Sequence, residues 1–301
     1  MYKDPAKRLT IVMPVYNGEM YIEEALESLI TLGANIIVSD DGSIDGTKNI
    51  CSKYKDFIKY RFHENMGQIN TLNMEWERAE TEFLSYLNCD DLWVGDGKNY
   101  ILDAIKFLDD NQDYVMTTPN ENIIDADSKI IKKVFLPRDV NPYDALVRKL
   151  CNVGPAVIFR KSHLIKWDPK FRLFADVMFY AELSSKGKSK LFKNYFSSFR
   201  NHKGSFAFSS KGTEKWRGIS GIVKKKFLQG VLEDKYRIDA VAWNIIIFAR
   251  EHMLLGNYRR SAILSYRALK ILGPRYKIKY EITLFIFKSF VRRLKIIFLN
   301  N

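Results

Sequence analysis

The sequence predicts an α/β fold: a mixed, mainly parallel sheet flanked by helices, followed by a helical C-terminal extension. Three observations predict it. Short apolar runs alternate with amphipathic stretches through the first 88 residues. Three of those runs end in turn-forming polar clusters, "PVYNG", "SDDGS" and "NCDD". After residue 210 the chain reads as helices to its end.

The elements follow in order. "LTIVMPV" (9–15) is a continuous apolar run, the signature of a strand covered on both faces. In 18–30, Ile22, Ala25, Leu26 and Leu29 recur at helical spacing, with acids in the first turn. "NIIVSDDGS" (35–43) is a second strand running into a turn, and 45–54 is a helix with Asp45 as its expected N-cap. "IKYRFHE" (58–64) alternates as a strand, 67–79 reads as a helix, and "EFLSYLN" (82–88) is the fourth strand. Strand and helix alternating at this spacing imply right-handed crossovers and a parallel sheet. From 98 to 205 the pattern is mixed, with a helix at 98–109 and strands near 113–118 and 129–135. This organisation divides the chain into an α/β domain, 1–209, and a helical region, 210–301.

The 301 residues suffice for a domain of about 200 residues and a smaller appendage. An apolar fraction of 47% indicates a packed protein, yet no stretch reaches the ~18 apolar residues of a bilayer span. The apolar stretch near the N-terminus is too short for a signal peptide. Cys51, Cys89 and Cys151 are scattered, without a CxxC pair, which argues against a zinc site or disulfide framework and for a reducing cytoplasm. The net charge of +13 favours a polyanionic neighbour: nucleic acid, an anionic membrane or a phosphorylated substrate. No RNP-like or helix-turn-helix pattern supports nucleic acid.

Ligands of open α/β sheets sit outside the carboxyl ends of the strands. The three polar clusters fall there, which brings Tyr16, Asp41 and Asp90 toward one crevice. An isolated acidic pair such as Asp90-Asp91 is ordinarily a solvated turn or helix cap. A second acidic turn on the neighbouring strand shifts the balance toward a shared hard cation, which also binds diphosphate oxygens.

Together, "IVMPVYNGEMYIEEALESL", "IIVSDDGSIDGT", "ENMGQINTLN" and "YLNCDDLW", in this order and spacing, resemble family 2 glycosyltransferases with the GT-A fold, over roughly residues 8 to 205. The resemblance implies inverting transfer of a sugar from a nucleoside-diphosphate donor with Mn²⁺ or Mg²⁺. It implies that Pro14, Val15, Tyr16 and Asn17 pack on the base, and that Asp41 accepts its imide N–H. That contact suits uracil or thymine, so UDP is favoured, dTDP follows, and GDP fits less well. Asn65 and Gly67 would line the donor site, with a strand-to-helix turn as the alternative. The family's acidic metal motif falls on 88–91: Asp90 and Asp91 become the metal ligands and Asn88 a neutral contact. Asp176 falls on the general base; its alternative is a first-turn acid that favours the helix dipole. Arg200 and His202 would reach the diphosphate, or else form a solvated basic strand end.

Three positions depart from the family pattern: Asn88 for the leading acid, Leu72 for a frequent arginine, and Ala175 for a frequent acid. They keep open a catalytically inactive nucleotide-sugar-binding subunit of a polysaccharide-assembly complex. The expected acceptor is a glycan or polyprenyl-linked saccharide. In 276–298, Ile282, Ile286, Phe290, Leu294 and Ile297 share a helical side opposite Lys277, Lys288, Arg292 and Lys295. Such a helix either lies on an anionic membrane, placing the protein on the inner face of the cytoplasmic membrane, or docks on its own domain. The oligomeric state stays open.

Overall fold

The computed structural model describes residues 4–136, 155–169, 175–202 and 257–272, with position 139 and scattered positions between 242 and 253. The stretch 276–298 lies outside the described residues, as does most of 210–256. Backbone contacts divide the chain into two compact units, Met1–Pro142 with Leu150–Ser209, and Tyr143–Lys149 with Ser210–Asn301. In the second unit the described element is helix α6, Tyr258–Leu272, whose Ser261 and Ala268 are buried.

The first unit is built on one mixed sheet. Its strands are β1 (Leu9–Val15), β2 (Asn35–Asp40), β3 (Ile58–Phe62), β4 (Phe83–Tyr86), β5 (Leu92–Trp93), β6 (Tyr114–Ile124), β7 (Ile130–Val134), β8 (Ile158–Arg160) and β9 (Lys188–Arg200). They lie in the order β3-β2-β1-β4-β8-β6-β9-β5, with β7 paired to β6. The half formed by β3, β2, β1 and β4 is parallel. β8 then runs antiparallel to both β4 and β6, while β6 and β9 pair in parallel. Helices α1 (Ile22–Ile30), α2 (Thr47–Lys53), α3 (Gln68–Arg78), α4 (Gly97–Asp110) and α5 (Ala175–Lys186) complete the unit.

Both sheet faces are covered, which is why all seven residues of β1 are buried. On one face Leu9, Ile11, Met13 and Val15 join Ile36 and Val38 of β2, Ile22, Ala25, Leu26 and Leu29 of α1, and Tyr100, Ile101, Ala104, Ile105 and Leu108 of α4. An aromatic cluster forms around Trp76 of α3, which meets Phe159 and Phe179 at ring-centroid distances of 5.3 and 5.5 Å.

Two local expectations change. Helix α2 starts at Thr47 with Gly46 as its N-cap; Asp45 stands one residue earlier and accepts from Thr47 N at 3.0 Å. Strand β6 runs on to Ile124, beyond the predicted 118, through the buried polar residues Asn120, Glu121 and Asn122. Their polarity hides the strand in the sequence, and the fold satisfies part of it: Asn120 Oδ1 accepts from Leu136 N at 2.8 Å.

Candidate active site

The carboxyl ends of β1, β2 and β4 are stitched together by their own turns. Asp41 N donates to Val15 O at 2.8 Å, and Asn17 N to Ser43 Oγ at 2.8 Å. Asn17 has φ 51°, and its Oδ1 accepts from Ile44 N at 2.9 Å. Gly18 leaves no room for a side chain: a Cβ there would stand 2.5 Å from Val15 Cγ2 and 3.1 Å from Cys89 Sγ. The turn after β1 therefore lies directly against the acidic turn after β4. Pro14 and Val15 are buried, whereas Tyr16 is 52% exposed and offers an open aromatic face.

The two acids after β2 are structural anchors first. Asp40 is buried; it accepts from Ser43 N at 2.7 Å and from Tyr60 Oη at 2.6 Å. Asp41, also buried, accepts from Met66 N at 2.6 Å and Gly67 N at 2.9 Å. This fixes the loop carrying the exposed Asn65 and sets up Gly67, whose φ of +85° suits glycine, as the N-cap of α3. Each carboxylate oxygen has a second lone pair, so this anchoring leaves Asp41 able to accept again.

Asp90 and Asp91 point to different partners. Asp91 is fully buried, with Oδ1 accepting from Arg200 N at 2.9 Å and Oδ2 from Asn88 Nδ2 at 2.8 Å. Burial, then the adjacent Asp90 charge, holds its carboxyl well above the usual carboxylate range. Its expected role as a metal ligand does not match this setting: Asp91 has no exposed surface and braces the turn, whereas the adjacent Asp90 stays partly open. Asp90 keeps a side chain 25% exposed, and its Oδ2 lies 3.0 Å from His202 Nε2. The imidazole rests beside Tyr21, ring centroids 4.8 Å apart. Cys89 is an inert neighbour, its thiol pushed up by burial and by Asp90.

Asn88 is explained by the same network. Its Oδ1 accepts from Gln68 Nε2 at 2.6 Å while its Nδ2 donates to Asp91. An aspartate would set a second carboxylate against the buried Asp91. Asn88→Asp is expected to cost about 1–3 kcal/mol of stability at pH 8. Asp91 has a raised folded pKa, so its contribution is full below the unfolded value and is lost as pH rises through the folded one. At low pH a shared proton lets the introduced carboxyl bond to Asp91, so the deficit of the variant shrinks toward pH 5. Thermal denaturation at pH 5 and pH 8 measures both.

Arg200 departs from its expected diphosphate contact. It is fully buried and its guanidinium is spent inside the protein, on Asp90 O, Asp125 O, Ala126 O, Ser128 Oγ and Glu24 Oε2. With no exposed surface and all three of its nitrogens donating to protein acceptors, this guanidinium is a structural tie, away from any ligand. Leu72 is likewise fully buried, a core residue of α3.

Asp176 occupies the first turn of α5. Its charge raises the Tyr86 phenol, second only to burial, with smaller contributions from Asp91 and Glu121. Tyr86 ends β4, two residues before Asn88, and its Oη accepts from Tyr180 Oη at 3.4 Å. Asp176 thus acts electrostatically on the residue that closes β4. Sequence reasoning passed over Tyr21, Glu24, Gln68 and Glu121. Only Glu121 carries a signal, a polar "NEN" run within an apolar strand.

Among the described residues no group of three His, Cys, Asp or Glu side chains forms a metal cluster. The family model for "Glycosyl transferase family 2" matches residues 10–167, just over half of the chain. The chain belongs to glycosyl transferase family 2. Its fold is the GT-A glycosyltransferase fold. The family resemblance drawn from the four motifs is thus borne out. An uncharacterized glycosyltransferase of Rickettsia typhi is 34% identical over 111 residues, covering 36% of this chain and 35% of that protein. The chain thus spans about a third of that relative's length. The putative teichuronic acid biosynthesis glycosyltransferase TuaG of Bacillus subtilis is 25% identical over 187 residues, covering 60% of this chain and 73% of that one. Among solved structures, S. aureus TarS residues 1–349 in complex with UDP-GlcNAc superposes with TM-score 0.62 at 17% identity, covering 90% of this chain and 83% of that one. The mannosyltransferase PcManGT of Pyrobaculum calidifontis, in complex with GDP-Man and Mn²⁺, superposes with TM-score 0.56 at 14% identity, covering 95% and 87%.

Proposed function

We propose that this glycosyltransferase moves a sugar, with inversion, from a nucleoside diphosphate, UDP first, to a hydroxyl of a lipid-linked glycan or surface polysaccharide. The observation that carries the proposal is the pairing of Asp90 Oδ2 and His202 Nε2, 3.0 Å apart, beside the joined ends of β1, β2 and β4. The printed names of relatives support it. TarS was solved with UDP-GlcNAc, PcManGT with GDP-Man and Mn²⁺, and TuaG is named for teichuronic acid biosynthesis.

The donor set fits a divalent ion. Mg²⁺-like cations take one or two protein ligands and complete their shell with phosphate oxygens and water. Asp90 and His202 are the two side chains that would hold Mn²⁺ or Mg²⁺. When bound, the ion would neutralise charge on the departing diphosphate. The open face of Tyr16, with Pro14, Val15 and Asn17 behind it, would carry the base, and Asp41 would accept its imide N–H. Asn65, Gly67 and Asn88 would border the same donor.

In the transfer, the acceptor hydroxyl loses its proton to the Asp176 carboxylate. Its oxygen forms the bond to the anomeric carbon, and the anomeric carbon–phosphate oxygen bond breaks with its electron pair leaving on the diphosphate. A carboxylate at this place also stabilises developing oxocarbenium charge. Among the described residues no helix is long and apolar enough to cross a membrane. On this reading the enzyme works at the inner face of the cytoplasmic membrane, with 276–298 as its contact.

A panel of UDP-, dTDP- and GDP-sugars with Mn²⁺ tests the proposal through release of the nucleoside diphosphate and through Tm. A donor at about 100 times its Kd adds about 2.7 kcal/mol of stability. UDP-sugars are expected to give the largest shift and to be turned over. A panel with neither shift nor release would overturn the assignment.

A further inference from the structure

We infer that Glu24, on α1 and outside every motif, is a positioning residue that holds the Asp90–His202 pair in register through Arg200. The inference rests on the proposed donor site and extends it to a residue that touches no ligand.

The connection is continuous. Glu24 Oε2 accepts from Arg200 Nη2 at 2.6 Å, and Glu24 Oε1 accepts from Ser128 Oγ at 2.6 Å. Ser128 Oγ in turn accepts from Arg200 Nη1 at 2.8 Å, closing a ring of three side chains. Arg200 also donates through Nη1 to Ala126 O at 3.1 Å and Asp125 O at 3.3 Å. The other edge of the guanidinium faces the site: Nε donates to Asp90 O at 2.8 Å, and the Arg200 backbone N–H holds Asp91 Oδ1 at 2.9 Å.

The same end of α1 supports the histidine. Tyr21, the N-cap residue of α1, precedes Glu24 by three positions and so lies on the same helix face. Its ring centroid is 4.7 Å from Arg200 Cζ and 4.8 Å from the His202 ring. One helix terminus thus fixes the backbone of Asp90 through Glu24 and Arg200, and the ring of His202 through Tyr21. Arg200 is fully buried, while the Glu24 side chain is 43% exposed. The exposed end of the pair is the one that can be altered without digging into the core.

Glutamine at 24 keeps the shape and loses the charge. Its single carbonyl oxygen cannot serve Arg200 and Ser128 as two carboxylate oxygens do. Supporting contacts of this type typically change metal affinity by about 10–100-fold. Glu24→Gln is therefore expected to weaken Mn²⁺-dependent UDP binding by about tenfold and to raise KM for the donor. kcat at saturating Mn²⁺ and donor stays within about threefold, and excess Mn²⁺ restores the rate. Ser128→Ala, which leaves the ion pair in place, is expected to give a smaller shift in the same direction.

Calorimetric titration of UDP with Mn²⁺ into wild type, Glu24→Gln, Ser128→Ala and Asp90→Ala tests this, with Tm measured alongside. If Asp90→Ala abolishes binding while both Glu24→Gln and Ser128→Ala bind like wild type, Glu24 is merely structural and the inference is overturned. A fall in Tm with unchanged affinity of the folded protein overturns it equally. If Asp90→Ala itself binds like wild type, the proposed donor site fails and the inference falls with it.

Discussion

Asp176→Asn is expected to lower kcat by a factor of about 10²–10⁴ while leaving UDP binding within about twofold of wild type. General bases contribute rate factors of that size. The asparagine side chain has the same shape but cannot take the acceptor proton. Asp176 lies in the first turn of α5, whereas Asp90 and His202 form their pair on the turn after β4 and past the end of β9. The two functions are thus separable by mutation. Steady-state transfer, paired with calorimetry of UDP and Mn²⁺, measures the separation. A variant that keeps its full rate would assign Asp176 to the helix dipole alone, and a variant that loses UDP binding as well would make it part of the donor site.

Trp76→Ala is expected to cost about 3–5 kcal/mol, the range for a buried large aromatic replaced by alanine. Trp76 is completely buried. Its ring stacks on Phe179 at an interplanar angle of 22° and meets Phe159, Trp167 and Tyr86 edge-on. Its Nε1 donates to Ser85 O at 3.3 Å, so the alanine leaves both a cavity and a carbonyl without its donor. Domains of this kind hold about 5–15 kcal/mol in all, so the loss consumes a large share. Because Phe179 belongs to α5, the helix that carries Asp176, activity is expected to fall even where the variant stays folded. Urea denaturation gives the stability term, and transfer assays well below Tm give the other.

The parallel half of the sheet was legible because its signals are local. The unbroken apolar run of β1 and the spacing of Ile22, Ala25, Leu26 and Leu29 each describe an element that the chain forms next to its own neighbours in sequence. The convergence of the β1, β2 and β4 turns was legible for a topological reason: parallel strands put their carboxyl ends on one side. The second half depends on distant pairing. β5 has only two residues and exists because Leu92 and Trp93 pair with Ser198 and Ser197. β9 mixes lysines with aromatics and carries no clean alternation.

Within the site, residue type was readable and direction was not. Adjacent residues on an irregular turn face different ways, so nothing in "CDD" says that Asp91 turns inward and Asp90 outward. Arg200 shows the same limit. A cation after a strand suggests a phosphate contact, but the carbonyls of Asp125 and Ala126 and the carboxylate of Glu24, to which its Nη1 and Nη2 atoms donate, are 74 to 176 residues away in sequence. Glu24 itself has the appearance of an ordinary first-turn helix acid.

Comparing uridine with UDP in the presence of Mn²⁺, against Tyr16→Ala and Asp90→Ala, tests most directly whether the strand ends form one donor crevice. The account predicts that Tyr16→Ala weakens both ligands. It also predicts that Asp90→Ala weakens UDP by at least about tenfold and leaves uridine unaffected, the loss expected when a metal ligand is removed. Binding of UDP that is indifferent to both substitutions, or equal with and without Mn²⁺, would contradict it.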